Sequence, residues 1–567
     1  MNTATSLIFS VALVLSKLGA AQQLPVVKPA STTVANAPVW IPDRGDGTYK
    51  NPVLNADYSD PDVIRVGRDY YLTASSFHCM PGLPILHSRD LVNWRLIGHA
   101  LTKQLPADFF DVPQHAYGVW APTMRFHNGE FVIYWGDPDH GVYVVKARQP
   151  TGPWSAPVLM LPGIGIIDPC PFWDDNGQAY LVHAWAASRA GINSVLTLRR
   201  MSPDGMAVLD EGKHVFDGHD QHHTLEGPKL YKRNGYYYLL APAGGVATGW
   251  QLALRSKNIY GPYEAKIVLE QGKTAINGPH QGAWIDVPTA TGRPGEDWFI
   301  HFQDAGAYGR VLHLQPLRWV NDWPLMGQDQ DGNGVGEPVA TYRKPAVGQR
   351  VAITVPASSD EFDTDTLGLQ WQWQANPRVT WSALMRGKQS LRLFAIPQPD
   401  KAVNLWPTPN LLLQKFPAPD FMATAPVKLT VEWDTPGKSA GLVVMGNDYG
   451  YLSISRDSTG YKLRQVFCKD AMNQSPEQIV AEQSLPTGMA YLRVQVTGPD
   501  ATCQFSYSLD GQTYRPIGKS FNAQQEKWTS AKVGLFCTSQ RGVRTGSYAD
   551  IDWFRIEPVS AAGSTRP

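Results

Sequence analysis

The chain of 567 residues is long enough for about two to four domains, and its 43% hydrophobic content allows cores of ordinary size. Its 50 Lys and Arg residues balance its 50 Asp and Glu residues, and no long basic block could neutralise a phosphate backbone. These properties exclude a disordered chain and argue against nucleic acid as a partner.

The N-terminal segment resembles a secretory signal. An apolar run from Leu7 to Leu15 is followed by the small residues at 19–21, and the polar Gln22 comes next. We therefore predict a signal peptide over residues 1–21 and an exported protein, periplasmic or secreted. An uncleaved N-terminal tail is the alternative, because no Lys or Arg precedes the run and Lys17 follows it. No other apolar segment approaches the roughly 18 residues of a membrane span.

A supersecondary unit recurs five times in the first part of the chain. Each copy has a short apolar strand, a turn of Gly, Asn or Asp, and an aromatic-rich strand, and a second hairpin-like stretch follows it. The copies are spaced about 47 to 61 residues apart, near the length of known propeller blades. Five units of four strands predict a five-bladed β-propeller over residues 22–345. The copies begin at Asp60, Ala121, Asp168, Glu226 and His280.

Three acids stand immediately before the first strands of the first, third and fourth units. They are Asp60, Asp168 and Glu226. Because the first strand of each blade lines the central channel of a propeller, we expect these side chains to face one channel. The alternative is that Asp-Pro and Glu-Gly-Pro are turn signals that serve folding alone.

Acids that converge in this way suit glycoside hydrolysis. The commonest route needs one protonated carboxylic acid for the departing oxygen and one carboxylate to activate water or attack the anomeric carbon. Carboxylates crowded in a partly desolvated pocket raise one another's pKa, so one acid can stay protonated while another is ionised. A third acid can then adjust the pKa of the first.

The second part of the chain predicts a different all-β domain. Residues 346–359 look like a linker, and short strands that alternate apolar and polar residues follow over residues 360–560. This pattern predicts a β-sandwich of the jelly-roll or lectin kind, ahead of a tail over 561–567. It contains no evident group of acids. The five cysteines have no CxxC spacing and cannot all pair, so we interpret them as mostly buried thiols.

Several motifs together resemble glycoside hydrolase family 43, of the β-xylosidase and α-L-arabinofuranosidase type. They are NPVLNADYSDPDVIRVGRDYY, SRDLVNW, WAPTMRF, IDPCPFWDDNG and LEGPKLYKRNGYYY, and the sandwich motifs DEFDTDTLGLQWQW and ADIDWFRIEP resemble xylosidase-like members. The resemblance implies an inverting enzyme in which Asp60 is the general base, Glu226 the general acid and Asp168 the residue that orients the acid and raises its pKa. It also implies that a sandwich loop can block one side of the channel mouth.

The same resemblance suggests residues that bind the sugar. Trp120 matches the aromatic residue that borders the terminal-sugar pocket, Phe77 could add a second apolar wall, and Arg310 resembles the arginine that contacts sugar hydroxyls. Ordinary blade packing for the aromatics and a solvated surface arginine are the alternatives. His280 could lie on the channel axis, where some relatives hold calcium through water, or could be a satisfied buried histidine. The run DQDGNGVGE at 328–336 lacks EF-hand spacing, so we interpret it as a polar turn.

The function hypothesis is an exo-acting glycosidase that removes terminal β-D-xylose or α-L-arabinofuranose from plant cell-wall polysaccharides or oligosaccharides. No cofactor is required for this chemistry, and a structural calcium ion is the one metal considered. Two alternatives stay open: a non-catalytic carbohydrate-binding protein, and a retaining enzyme that transfers sugars, as sucrose-acting propeller enzymes do.

Overall fold

The computed structural model describes residues 37–289, 295–432, 436–544 and 546–559. The predicted signal peptide over residues 1–21 and the predicted tail over 561–567 lie outside the described residues.

Five four-stranded antiparallel sheets follow one another along the chain, and in each of them strands that are consecutive in the sequence are neighbours. This arrangement confirms the predicted five-bladed propeller. The strands are Asp62–Val66, Asp69–Thr73, Gly82–Ser88 and Trp94–Leu101 in blade 1; Trp120–His127, Glu130–Asp137, Gly141–Ala147 and Val158–Pro162 in blade 2; Ile166–Trp173, Ala179–Trp185, Val195–Met201 and Lys213–Asp217 in blade 3; Lys229–Arg233, Tyr236–Ala243, Trp250–Ser256 and Glu264–Leu269 in blade 4; and His280–Val287, Glu296–Asp304, Arg310–Val320 and Trp323–Met326 in blade 5.

The ring closes by side-chain packing and by a short two-stranded sheet. Leu72 of blade 1 and Ile300 of blade 5 belong to one buried cluster, because neighbouring blades pack face to face and bury both sides of their strands. Thr48–Lys50, ahead of blade 1, pairs antiparallel with Thr341–Arg343, which follows blade 5. The two ends of the propeller are thereby held together.

One residue near the start of each inner strand lies in the left-handed region of backbone space. It stands two residues before the strand in blades 1 and 4. In blades 2, 3 and 5 it lies within the strand, next to a shift in the pairing register, so Asp168 is inside its strand and not before it as predicted. Such a bulge turns the chain sharply as it enters the channel wall. Because alanine and glutamine also occupy this position, the conformation is a property of the blade and not of the acids alone. The five residues and their φ angles are Asp60 at 53°, Ala121 at 36°, Asp168 at 56°, Gly227 at 60° and Gln281 at 39°.

This register refines the placement of the three acids. Asp60 and Asp168 occupy the same position of the repeat, whereas Glu226 stands one residue earlier, directly before Gly227. The equivalents of Glu226 in blades 2 and 5 are Trp120 and His280. The three acids therefore come from two successive positions of the repeat and not from a single position.

The second domain is a sandwich of two large sheets, as the sequence predicts. Its core contains side chains from both sheets, among them Leu442 and Leu535 of one and Leu492 and Val494 of the other. One sheet contains Gln372–Trp373, Ile396–Pro397, Leu412–Lys415, Lys438–Met445, Tyr449–Asp457, Gly460–Cys468, Gln478–Leu485 and Lys532–Ser539. The other contains Ser382–Met385, Ser390–Phe394, Phe421–Thr430, Met489–Thr497, Thr502–Ser508, Arg515–Pro516, Phe521–Asn522, Tyr548–Ile551 and Arg555–Glu557.

The helices of the described residues are short: Ala107–Phe110 and Ala187–Ala190 are α-helical, and Gly306–Tyr308 and Ala471–Asn473 are 3₁₀ turns. Within the described ranges, no helix has the length and apolar character that a membrane span needs. All five cysteines are free and buried, which confirms their interpretation as buried thiols. The domain boundaries at 345 and 359 stay predictions, although residues 344–371 form neither helix nor strand.

Propeller and sandwich are hydrogen-bonded along their interface. Met80 of blade 1 and Trp373 of the sandwich exchange two backbone hydrogen bonds, of 2.9 and 2.6 Å. Tyr308 of blade 5 is buried within the core cluster of the sandwich, and its hydroxyl donates to the carbonyl of Pro419 at 2.9 Å. The channel mouth is therefore built next to a second domain.

Candidate active site

Asp60 is held by three side-chain donors. Its Oδ2 accepts hydrogen bonds from Ser59 Oγ at 2.8 Å and Ser75 Oγ at 2.6 Å, and its Oδ1 accepts one from Arg310 at 2.9 Å. The side chain is buried at the start of the inner strand of blade 1. Its carboxylate is therefore fixed in orientation and faces a positive charge.

Asp168 lies at the equivalent position of blade 3 and is also buried. Its Oδ2 accepts the backbone N–H of Gly227 at 2.7 Å, so it holds the peptide that directly follows Glu226. Burial and the nearby charge of Asp60 raise the pKa of Asp168 to about 7, against the smaller lowering effects of the Gly227 N–H, Lys229 and Arg310. Asp168 is therefore linked to both other acids, by charge and by a hydrogen bond.

Glu226 is the most solvent-accessible of the three acids, with 33% of its side chain exposed. Its backbone N–H donates to the carbonyl of Pro242 at 3.2 Å, which ties it to the second strand of blade 4. Burial, then the charges of Asp168 and Asp60, raise the pKa of Glu226 to about 8. Glu226 is thus the acid that retains its proton at neutral pH.

Arg310 is a buried residue of the site and not a solvated surface arginine. One guanidinium nitrogen donates to Asp60 and, at 2.6 Å, to Ser59 Oγ, while the side chain is only 10% exposed. Its backbone N–H donates to Asp57 Oδ1 at 3.0 Å. Asp57 Oδ2 in turn accepts the backbone N–H of Ser530, from the sandwich, at 2.9 Å. A buried carboxylate therefore connects Arg310 to the second domain.

An aromatic wall borders the acids. Phe77 and Trp120 lie edge to face, with ring centroids 6.3 Å apart, and the indole N–H of Trp120 donates to the carbonyl of Ala116. Trp528 of the sandwich continues this wall: its ring centroid lies 6.3 Å from that of Trp120, and the Arg310 guanidinium lies 5.6 Å from its ring. Trp528 is 40% exposed and has a left-handed φ of 74°.

His280 lies beside the acids but is not satisfied by the protein. It is fully buried, neither ring nitrogen has a hydrogen-bond partner, and its Nε2 lies 3.5 Å from Glu226 Oε1. A buried histidine whose ring nitrogens have no protein partner can hydrogen-bond to water, including water that is coordinated to a metal ion. Calcium takes six to eight oxygen ligands. The contact at His280 offers a ring nitrogen and the carboxyl group of Glu226, so these residues do not fit direct coordination of calcium.

A buried charged cluster crosses the channel two residues further along the inner strands. Lys229 of blade 4 donates to Thr123 Oγ1 of blade 2 at 2.5 Å, and its Nζ lies 3.9 Å from Asp62 of blade 1. Arg125 of blade 2 also donates to Asp62, at 2.8 Å. These contacts tie three blades together beside the three acids.

The sequence indicated seven of these residues by repeat position or motif, but it missed Asp57, Ser59, Ser75 and Trp528. Ser59 directly precedes Asp60, and that adjacency was an available signal. Trp528, within the run QQEKWTS, has no motif or repeat that assigns it to a channel mouth. Only the docking of the sandwich brings it there.

Two family profiles cover most of the chain. Residues 49–324 match glycosyl hydrolases family 43, and residues 359–557 match the β-xylosidase C-terminal concanavalin A-like domain. A putative β-xylosidase of Xylanibacter ruminicola is 40% identical over 502 residues, which are 88% of this chain and 87% of the relative. A non-reducing end α-L-arabinofuranosidase of Bacteroides ovatus is 30% identical over 89% of this chain and 94% of its own.

A solved structure has the same two-domain fold. A mutant of the family 43 protein BlXynB of Bacillus licheniformis superposes with a TM-score of 0.77 at 26% identity, over 90% of this chain and all of its own. The fold, the group of buried acids and these likenesses over nearly the whole length lead to one conclusion. This chain belongs to glycosyl hydrolase family 43 and is a glycoside hydrolase.

Proposed function

We propose that this protein is an inverting, exo-acting glycosidase that releases terminal β-D-xylosyl or α-L-arabinofuranosyl residues from plant cell-wall polysaccharides and oligosaccharides. The names of the relatives support both pentoses. The observation that carries the proposal is the contrast between two acids: Glu226 retains a proton at neutral pH, whereas Asp60 faces the Arg310 guanidinium.

In this mechanism Glu226 is the general acid. Its raised pKa keeps a proton available, and its partial exposure leaves the carboxyl group accessible to a substrate in the channel. As the glycosidic bond breaks, the proton of Glu226 passes to the departing oxygen, which leaves as a hydroxyl group. Glu226 is then ionised and regains a proton from solvent before the next turnover.

Asp60 is the general base. A water molecule between its carboxylate and the anomeric carbon gives a proton to Asp60 while its oxygen attacks from the face opposite the leaving group. The donors on Asp60 come from Ser59, Ser75 and Arg310, and they fix the direction of the carboxylate. Attack by water without a covalent intermediate inverts the anomeric configuration.

Asp168 is a positioning residue in this scheme. Its charge raises the pKa of Glu226, and its hydrogen bond from the Gly227 N–H fixes the backbone next to the acid. Both effects act through Glu226, so Asp168 need not touch the sugar.

The wall formed by Phe77, Trp120 and Trp528 supports an exo mode of action. Aromatic faces pack against the apolar faces of sugar rings, and a wall built by two domains suits a terminal residue better than a long chain. Arg310 is available near Asp60 to contact sugar hydroxyls. A calcium ion at His280 would be held through water and would supply positive charge beside the channel, and export through the N-terminal segment belongs to the same proposal.

A nitrophenyl glycoside panel tests the proposal. We expect release of 4-nitrophenol from the β-D-xyloside or the α-L-arabinofuranoside, and of free pentose from xylo-oligosaccharides or arabinan fragments. A purified protein that is inactive on all of these substrates, yet hydrolyses another glycoside, would contradict the substrate assignment. The family assignment would not be affected.

The acid and base roles are separated by leaving-group chemistry. Glu226→Gln should lower kcat/KM by about 10²- to 10⁴-fold on natural oligosaccharides, but far less on a 2,4-dinitrophenyl glycoside, whose leaving group needs no proton. Asp60→Asn should lower kcat/KM on both substrates. Equal losses for Glu226→Gln on both substrates would remove Glu226 from the acid role.

Proton NMR of the first anomer formed distinguishes inversion from the retaining, sugar-transferring alternative. A β-xyloside should give α-xylose first, with β-xylose appearing only by mutarotation. If β-xylose appears first, a nucleophile and a covalent intermediate are required and the mechanism is wrong. The family and the names of the relatives support a hydrolase and not the non-catalytic carbohydrate-binding alternative.

A further inference from the structure

A cavity of about 330 Å³ lies between the propeller and the sandwich. None of the three acids is among the described residues that line it. Its volume falls within the range of roughly 300–1,000 Å³ that is typical of sites for small molecules. The propeller domain supplies Trp40, Tyr58 and His99 to its wall, and the sandwich supplies Lys415. The proposed reaction uses none of these residues.

Lys415 is a cation without a counter-ion at the wall of this cavity. It is the last residue of the strand Leu412–Lys415 and is half-buried. Within the described ranges its Nζ makes no ion pair and no hydrogen bond, and the centroid of the Tyr58 ring lies 5.5 Å from it. Burial lowers the pKa of Lys415, and the charge of Asp57 opposes this effect. An anion in the cavity would supply the partner that this ammonium group lacks.

Asp57 is not that partner. Its two carboxylate oxygens accept the backbone N–H groups of Arg310, at 3.0 Å, and Ser530, at 2.9 Å. The acid that lines the cavity, Glu361, is bound by Arg555 through two hydrogen bonds of 2.8 Å. The charges of these two carboxylates are therefore engaged elsewhere, and the positive charge of Lys415 is left over.

His99 adds a second donor to the same wall. Burial, then the charge of Lys415, lowers the pKa of His99 to about 3. The ring is therefore neutral at pH 7, and one of its nitrogens carries a hydrogen that it can donate. In the part of the chain that the structure describes, no hydrogen bond reaches the His99 ring.

The rest of the lining is largely apolar. Val53, Leu54, Leu96 and Pro417 contribute to it, together with the rings of Trp40 and Tyr58. A phosphate or sulfate ion would leave this apolar wall without a partner, and a neutral apolar ligand would leave the ammonium group without one. The lining therefore suits a molecule that has both an anionic group and an apolar body.

We propose that this cavity binds a small carboxylate with an aromatic or otherwise apolar body. The carboxylate pairs with the Lys415 ammonium group, the neutral His99 ring supplies a further N–H donor, and the body packs against the apolar wall. Because both domains build the wall, the bound ligand adds contacts between the propeller and the sandwich. This site is separate from hydrolysis at the three acids.

Benzoate is the probe that tests the proposal on the full-length wild-type protein. Benzamide and benzamidine have nearly the same shape but are neutral and cationic, so they serve as matched controls. In isothermal titration calorimetry we expect benzoate to bind with a Kd of about 0.1–1 mM, and the two controls to bind at least about tenfold more weakly. About 10 mM benzoate should raise the Tm by about one to two degrees. No glycoside is present, so the result does not depend on the proposed hydrolysis.

Variants of Lys415 locate the ligand. Lys415→Met removes the charge but keeps the length of the side chain, and it should weaken benzoate binding by at least about tenfold. It should also preserve or raise the Tm of the unliganded protein, because a buried charge without a partner is gone. Lys415→Arg keeps the charge and should bind benzoate, as should Lys428→Met, at an exposed position of the sandwich.

Three results would overturn the proposal. They are a wild-type protein that does not bind benzoate, a wild-type protein that binds benzamide as tightly as benzoate, and a Lys415→Met variant that binds benzoate as wild type does. The third result would place the anion at another cation, such as Arg310 beside Asp60.

Discussion

At the scale of single residues, the site depends on carboxylates with different surroundings. Asp60 has three donors from two serines and an arginine, whereas Glu226 lies near Asp168 and Asp60, and among the described residues no hydrogen bond reaches its carboxyl group. The two environments differ as inverting hydrolysis requires: donors fix the Asp60 carboxyl group beside a positive charge, while the raised pKa of Glu226 retains a proton for the leaving group.

The charge of Asp168 makes a testable contribution to this division. Glu226 must be protonated to act, so kcat/KM should fall as the pH rises through the raised pKa of Glu226, near about 8. Asp168→Asn removes a negative charge but keeps an oxygen that can accept from the Gly227 N–H. The pKa of Glu226 should therefore fall, and the alkaline limb of the pH profile should move toward lower pH by about one unit. An unchanged limb, with folding intact, would contradict this role.

Most of these residues could be predicted from sequence because the repeat converts sequence position into spatial position. Asp60 and Asp168 follow from the blade register, and Glu226 follows once the left-handed residue Gly227 is aligned with them. Asp57 could not be assigned, because its partners are backbone N–H groups of Arg310 and Ser530, hundreds of residues away. Backbone donors leave no signature in side-chain patterns.

At the scale of elements, the loop over residues 526–531 connects the sandwich to the site. Glu526 contacts His115 at one end, and the N–H groups of Ser530 and Ala531 donate to Asp57 and to the carbonyl of Ala307 at the other. Trp528 lies between these anchors in a left-handed conformation that is costly for a bulky residue. Anchoring at both ends holds it beside Trp120.

Trp528→Ala tests whether the loop completes the pocket. Loss of the aromatic face should raise KM for the nitrophenyl pentoside by about three- to tenfold, with a smaller change in kcat. Ile479→Ala, at an exposed position of the sandwich, serves as the control and should leave both constants unchanged. Steady-state kinetics of the two variants decide the matter, and an unaltered KM for Trp528→Ala would exclude Trp528 from the pocket.

Asp57→Asn tests the connection between the loop and Arg310. The amide can accept only one of the two N–H groups, so either Arg310 or Ser530 loses its partner in a buried site. We expect kcat/KM to fall about tenfold on a nitrophenyl pentoside, with most of the molecules still folded by circular dichroism. Asp46→Asn, at an exposed position, is the matched control. Wild-type kinetics for Asp57→Asn would show that the connection has no effect on the site.

At the scale of the whole molecule, propeller and sandwich form one packed unit over the described residues. Tyr308 of blade 5 lies in the sandwich core, and His115 of the propeller stacks on Trp406 of the sandwich at 3.8 Å. The sequence predicted both folds from strand patterns, but it could not predict this interface. The contacts of this interface join residues of the propeller to residues of the sandwich, and no sequence repeat relates the two sets.

Removal of the sandwich should therefore damage the propeller. A chain ending at residue 345 would expose Tyr308, His115 and the edge of Met80, and would lose Trp528. We expect aggregation on gel filtration or at least a tenfold loss of kcat/KM relative to the full chain. A monomeric fragment with full activity would show that the sandwich has no part in the site.

The central claim is that burial and the neighbouring carboxylates raise the pKa of Glu226 and keep it protonated at neutral pH. Carboxyl ¹³C NMR of protein with labelled glutamate, with the Glu226 signal assigned through Glu226→Gln, measures this directly. The account predicts that this signal titrates near pH 8, far above the ordinary value of 4.5. Titration of Glu226 near 4.5 would contradict the account, because Glu226 would then be ionised at neutral pH and could not protonate the leaving group.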